Sequence, residues 1–196
     1  MTIEQEKVST EVRNGYIEEV EQIVPFDDQE KKDQQYVTNW LVTTEFLNKP
    51  YNMFEHLGVL CILLSPDRQK TYLLHHKKAQ TLLPPGGHVD LNLSFSVAAH
   101  AEFEEELQSP AKLIVQHPFF ITRTSTRGLN AGHTDITSWF ILNGNPDEQY
   151  HIHEKEALKA EWIEIMDLLK AGELGHLHRA YLKLVQMLKN DGRLIS

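Results

Sequence analysis

The run Glu102-Phe-Glu-Glu-Glu106 places four carboxylates within five residues, downstream of the glycine pair Gly86-Gly87. Ser94 stands where a helix cap belongs, and the apolar pattern behind it predicts a helix from there to Leu107. At about 100° per residue, Glu102, Glu105 and Glu106 share one face of that helix, whereas Glu104 points about 160° away from its centre. Like charges so close repel, by a few tenths of a kcal/mol per i,i+4 pair. They make chemical sense when a cation lies among them. An oxygen-only ligand set without a nearby cysteine favours Mg²⁺ or Mn²⁺ over thiolate-bound zinc. A carboxylate-held Mg²⁺ keeps some waters and takes substrate phosphates as further ligands, so the chemistry indicated is phosphoryl transfer. A bare acidic run is more often a solvated helix face, and it is the upstream glycine turn that shifts the balance.

The elements that must position these acids are legible as a change of texture near residue 50. Before it, residues 3–24 carry Val8, Val12, Tyr16, Val20 and Ile23 at helical spacing, and a second helix is expected from a cap at Asp27 or Asp28 toward Leu47, with Tyr36, Trp40, Leu41 and Phe46 inward. After it come strand candidates at 56–64 and 71–74, joined as a hairpin through Ser65-Pro-Asp-Arg68, then 111–116, 119–124, 137–142 and a strand ending at Glu161-Trp-Ile-Glu-Ile165. A last helix spans about 175–188. The expected architecture is α/β, an α/β/α sandwich with a mixed sheet, preceded by a helical arm over 1–50, with the main domain over 51–196. The arm is read as packing on that domain or on a second subunit, which leaves a homodimer open.

The segment from Gly87 to Ser109 resembles a Nudix box. Gly87 matches its glycine, Glu102 the glutamate after the arginine, Phe103 the apolar position, and Glu105 with Glu106 the paired glutamates. Leu93 stands where the box has its first glutamate, Ala101 replaces its arginine and Gln108 its later glycine. The missing glutamate and arginine commonly pair in the family, and their joint loss avoids an uncompensated charge. Outside the box, Lys49-Pro50, His76-Lys-Lys-Ala79, Pro84-Pro-Gly-Gly-His88, Ala131-Gly-His-Thr-Asp-Ile136 and Glu156 ahead of Trp162 are similar to a branch of bacterial Nudix proteins, so the likeness covers about residues 48–170. The resemblance implies the Nudix fold, Mg²⁺ or Mn²⁺ held by Glu102, Glu105, Glu106 and the Gly86 carbonyl, and Glu156 as a further ligand or base, with Glu154 as its substitute. It also implies a pyrophosphohydrolase in which Glu102, Glu105 and Glu156 are catalytic, acting on a nucleoside diphosphate linked to another moiety. The three departures motivate a rival, a catalytically impaired nucleotide-binding or regulatory module. A third reading is an acidic adaptor that binds neither metal nor nucleotide.

Lys78 and Arg123 are candidate substrate phosphate contacts, as is Lys77, set against the ordinary fate of such residues as solvated surface charges. His133 and Asp135 fall on one face of a strand entrance, where they either bind substrate or hydrogen-bond each other. His151-Ile-His153 has a metal-ligand spacing but is read as an ordinary exposed pair. With 19 basic against 28 acidic side chains, a net of −9, and no basic cluster, a nucleic-acid partner is not expected and a small phosphorylated one, a nucleotide, is. The lone Cys61 sits in an apolar run, so it reads as a buried strand thiol in a reducing compartment. No apolar leader and no membrane-length run is seen, which gives a cytoplasmic expectation.

Overall fold

The computed structural model describes residues 7–126, 132–153, 155–172 and 175–191. Among these, five helices and seven strands follow the order α1 (Thr10–Glu21), α2 (Asp28–Thr43), β1 (Glu55–Leu64), β2 (Lys70–His76), β3 (Thr81–Leu83), β4 (Gly86–His88), α3 (Phe95–Leu107), β5 (Phe120–Ser125), β6 (Thr134–Asn143), β7 (Ala157–Glu164), α4 (Ile165–Ala171) and α5 (His176–Asn190). The sheet runs β3-β2-β1-β6-β5, with β4 paired to β1 and β7 to β2. It is mixed, because β1 and β6 are parallel over their full lengths while the other pairs are antiparallel.

Strand alternation builds a core on each face. Leu57, Val59, Cys61 and Leu63 of β1 pack with Ile136, Phe140 and Leu142 of β6 beneath residues of α1, α2 and α3. Ile62 and Leu64, with Trp139 and Ile141, face Leu177, Tyr181 and Leu184 of α5. The α/β/α sandwich is therefore as expected, with Cys61 buried and free. The N-terminal helices join the first core through Tyr16, Val20, Val37 and Leu41. Two ion pairs tie the start of α2 to α5, a buried one in which Lys183 Nζ lies 2.6 Å from Glu30 Oε1 and a partly exposed one in which Arg179 Nε lies 2.9 Å from Oδ2 of the cap Asp27.

Several boundaries differ from the sequence reading. The first helix begins at Thr10, capped by Ser9. The second ends at Thr43, well short of Leu47, so Phe46 lies in the following loop, and Tyr36 turns outward to donate to Glu55 Oε2 at 2.8 Å. The 111–116 segment touches the sheet at a single bridge, Leu113 with Leu142, because it only grazes the end of β6. The short β3, β4 and α4 were not anticipated. β4 is two glycines and a histidine, which carry no apolar alternation to read. No helix among the described residues is long and apolar enough to cross a membrane.

Candidate active site

Three local decisions assemble the acidic site. Ser94 caps α3 by accepting from Val97 N–H, which fixes where the helix starts and hence which face Glu102 and Glu106 occupy. Next, β4 docks on β1 with Val59 opposite Gly87. The Pro85 carbonyl accepts from Cys61 N–H and Val89 N–H donates to the Leu57 carbonyl, so alternation turns the Gly86 amide and carbonyl to the opposite side. There the Gly86 N–H donates to Glu106 Oε2 at 2.8 Å. Finally, His151 N–H donates to the Leu107 carbonyl and His153 N–H to that of Glu106, clipping the next loop to the helix end and delivering Glu156.

Both glycines are needed at their positions. Gly86 has φ of +150°, and a Cβ there would lie 2.1 Å from the Val59 carbonyl oxygen. A Cβ on Gly87 would lie 2.2 Å from Glu102 Oε2, so the carboxylate occupies the space that any other side chain would fill.

Glu106 is almost fully buried, Glu102 half-buried and Glu105 exposed, while Glu104 faces solvent on the far side, as the helical geometry requires. Burial raises the Glu102 carboxyl to about 7, and the charges of Glu105, Asp90 and Glu156 push the same way. Burial also raises Glu106, to about 8, with the Gly86 N–H opposing and Glu102, Glu156 and Glu105 adding to the rise. Glu102 and Glu106 thus feel each other, and the charges of Glu105 and Glu156, in a partly dry corner that disfavours their ionised forms. An oxygen-only set in this state fits a hard dication such as Mg²⁺ or Mn²⁺, which would relieve the repulsion without thiolate or imidazole ligands. Glu156 has a further partner, since Lys78 Nζ lies 3.0 Å from each of its oxygens. His76 Nε2 stands 3.8 Å from it, and burial lowers that imidazole despite the neighbouring carboxylate.

Of the residues singled out in the sequence, Glu102, Glu105, Glu106, Gly86, Glu156 and Lys78 come together here. Glu154 lies outside the described residues. Arg123 is engaged elsewhere, with Nε 2.6 Å from Glu55 Oε1 and its guanidinium 4.2 Å above the Tyr36 ring. His133 and Asp135 approach each other, Nε2 to Oδ1 at 3.3 Å, in a separate cluster with His56 and His88. His153 is half-buried rather than exposed, a consequence of its loop being clipped to α3. The sequence reading missed Asp90, whose charge reaches Glu102, and His56, which lies in an apolar run and gives no local signal.

Among the described residues no ion pair braces the loop before α3. Leu93 packs against the first core, and Ala101 is exposed. The N-terminal segment holds the loop instead: Tyr16 Oη donates to the Leu93 carbonyl at 2.5 Å, Asn48 Nδ2 to the Val89 carbonyl at 2.7 Å, and Asn92 Oδ1 accepts from Ser9 N–H at 3.0 Å.

Sheet, helices and acidic corner together define an α/β sandwich whose strand-to-helix turn converges carboxylates on one point. The NUDIX domain model matches residues 54–185, and the chain belongs to that family. Comparison with curated protein sequences gives no match. Among solved structures, the fold is similar to an Ap4A hydrolase from C. elegans in a binary complex, with a TM-score of 0.58 and 16% identity over 68% of this chain and 98% of that one. It is also similar to the E. coli dihydroneopterin triphosphate pyrophosphohydrolase, at TM-score 0.52 and 14% identity over 69% and 94% of the two chains. A third similar structure is the MutT protein of Methanosarcina mazei Go1, at TM-score 0.51 and 14% identity over 69% and 96%.

Proposed function

We propose that this chain is a divalent-metal-dependent pyrophosphohydrolase that cleaves the diphosphate linkage of a nucleoside diphosphate joined to another moiety, in the cytoplasm. The observation that carries this reading is the convergence of Glu102, Glu105, Glu106 and Glu156 on the Gly86-Gly87 corner, with the carboxyls of Glu102 and Glu106 raised well above the ordinary glutamate value, chiefly by burial. Family membership supports the reaction class, and so do the activities named for two of the similar structures, an Ap4A hydrolase and a pyrophosphohydrolase.

In this reading Glu102, Glu105, Glu106 and the Gly86 carbonyl hold Mg²⁺ or Mn²⁺, with Glu156 as a further ligand or base. The ion, when bound, neutralises pyrophosphate charge as a Lewis acid. Glu106 is the rigid anchor, because the Gly86 N–H fixes one of its oxygens. Glu102 is confined over Gly87 and sets the floor of the site. Glu105, at the exposed rim, and Glu156 are placed to orient the attacking water and take its proton. Lys78 donates to Glu156 and stands where a substrate phosphate would approach. Arg123, His133 and Asp135 are farther candidates for substrate contact.

A phosphate-release screen over diphosphate compounds, run with several divalent ions, tests the proposal. Glu105→Gln should lower turnover by roughly two to three orders of magnitude with little loss of folding, since that side chain is exposed. An unchanged rate in saturating Mg²⁺ would refute the assignment. The second reading, a nucleotide-binding module without hydrolysis, draws on Leu93, Ala101 and Gln108, and predicts metal-linked ligand binding with no product in that screen.

A further inference from the structure

Away from the acidic corner, His56, His88, His133 and Asp135 each offer one ligand atom within 4.8 Å of all the others. We propose that these four residues form a second metal site, nitrogen-rich, that takes a zinc-like transition-metal dication. The inference does not depend on the pyrophosphohydrolase reading.

The sheet itself builds the cluster. Parallel pairing sets His56 of β1 beside Asp135 of β6, and antiparallel pairing brings His88 of β4 opposite Gly58, two residues further along β1. His133 precedes β6 and lies two residues before Asp135, on the same side of the chain. The ring centroids of His56 are 4.8 Å from those of His88 and 4.7 Å from those of His133.

Proton bookkeeping then leaves lone pairs facing one another. His56 Nδ1 lies 2.9 Å from the Asn52 carbonyl, which can only accept, so Nδ1 carries the proton and Nε2 of the neutral ring has a lone pair. That Nε2 lies 3.1 Å from Asp135 Oδ1 without the alignment of a hydrogen bond, and both atoms are buried without a hydrogen-bond partner among the described residues. His56 is completely buried, so water does not resolve the conflict. Asp135 Oδ1 is also 3.3 Å from His133 Nε2. Lys49 Nζ stands 3.2 Å from His88 Nε2, and since an ammonium only donates, this nitrogen accepts from it with a lone pair that a metal ion would take over once Lys49 withdraws. A set of acceptors converging in a buried place calls for a cation.

The distances suit such an ion. Tetrahedral ligation at about 2.0–2.1 Å separates ligand atoms by roughly 3.3 Å, close to the two contacts that Asp135 Oδ1 already makes. Imidazoles select zinc, cobalt, nickel or copper over magnesium. The bond from His56 Nδ1 to a backbone carbonyl is the orienting contact that metal-bound histidines usually make. Among the described residues Lys49 is the cationic side chain beside His88, and a metal ion bound at His88 Nε2 requires its ammonium to move away.

The test uses the full chain, stripped with chelator and titrated with Co²⁺, whose visible absorption is intense in four-coordinate nitrogen and oxygen sites and weak in octahedral oxygen sites. A parallel titration uses Glu102→Gln, Glu105→Gln, Glu106→Gln triple-variant protein, which lacks the acidic site. One equivalent of the intense bands is expected in both proteins, lost on adding Zn²⁺. His133→Ala and Asp135→Asn should weaken binding roughly 10- to 100-fold, and Lys49→Met should tighten it. Far-UV circular dichroism checks the folding of each variant, and His133, which precedes β6 and is only partly buried, carries the test if Asp135→Asn fails to fold. Absence of the bands, or bands that vanish with the glutamates but persist in His133→Ala, overturns the proposal.

Discussion

Replacing Glu106 by Gln should remove a pH dependence of folding that the buried carboxyl imposes on the natural chain. In the metal-free protein the Glu106 carboxyl is raised to about 8, chiefly by burial, against an ordinary value of 4.5. Between those two values the folded chain holds a proton that the unfolded chain has released, so stability falls as pH rises through the window. Each pH unit across it is worth about 1.4 kcal/mol, and the whole interval about 5 kcal/mol. Glu102 titrates in the same range and shares the burden, which brings the expected loss attributable to Glu106 to roughly 2–4 kcal/mol. Glutamine is of the same size, keeps an acceptor for the Gly86 N–H and does not ionise. Urea unfolding in EDTA should therefore give nearly coincident midpoints for the two proteins at about pH 5, and a more stable variant by about pH 8.5. Mg²⁺ or Mn²⁺ should reverse the order at the higher pH, stabilising the natural chain and leaving the variant unmoved. Metal-free curves that run parallel over the whole range would show that burial does not raise the Glu106 carboxyl as argued.

Other perturbations have equally definite outcomes. Gly87→Ala places a methyl in the space of the Glu102 carboxylate and should weaken Mn²⁺ binding at least about tenfold, read by calorimetric titration, with only a small change in the unfolding midpoint. Gln108 ends α3 in the left-handed conformation, with φ of 50°, so Gln108→Gly should raise stability by about 0.5–1 kcal/mol in chemical denaturation. Lys183→Met strands the buried Glu30 and should cost about 3–5 kcal/mol by the same assay. Tyr16→Phe removes the bond to the Leu93 carbonyl and should lower stability by about 1 kcal/mol while loosening the loop ahead of α3, seen as faster amide exchange at residues 90–94.

The sequence by itself determined the parts whose information is local. The Ser94 cap and the 3.6-residue repeat placed α3 within a residue of where it lies, and so which glutamates share a face, because helix geometry converts spacing directly into direction. The apolar runs gave the β1–β2 hairpin, and the Gly-Gly corner announced a close approach. Where apolar pattern and backbone pairing part company, the reading failed: residues 111–116 look like a strand but find a neighbour at only one bridge, while Gly86–His88 look like a turn and become a strand through β1.

Tertiary structure alone decided what lies across the space between elements. The proton affinity of Glu102 and Glu106 comes from burial under the sheet and from Glu156, a residue brought in by a loop clipped to the helix end. Arg123 was drawn away by Glu55 and Tyr36, partners 68 residues away in the first case. The bracing of the loop by Tyr16 and Asn48, and the meeting of His56 with Asp135 through parallel pairing, depend on strand order and register. Charge and hydrogen bonding act over a few ångströms whatever the separation along the chain, so a sequence can name the chemistry that each residue carries, and only the packed fold sets which residues share it.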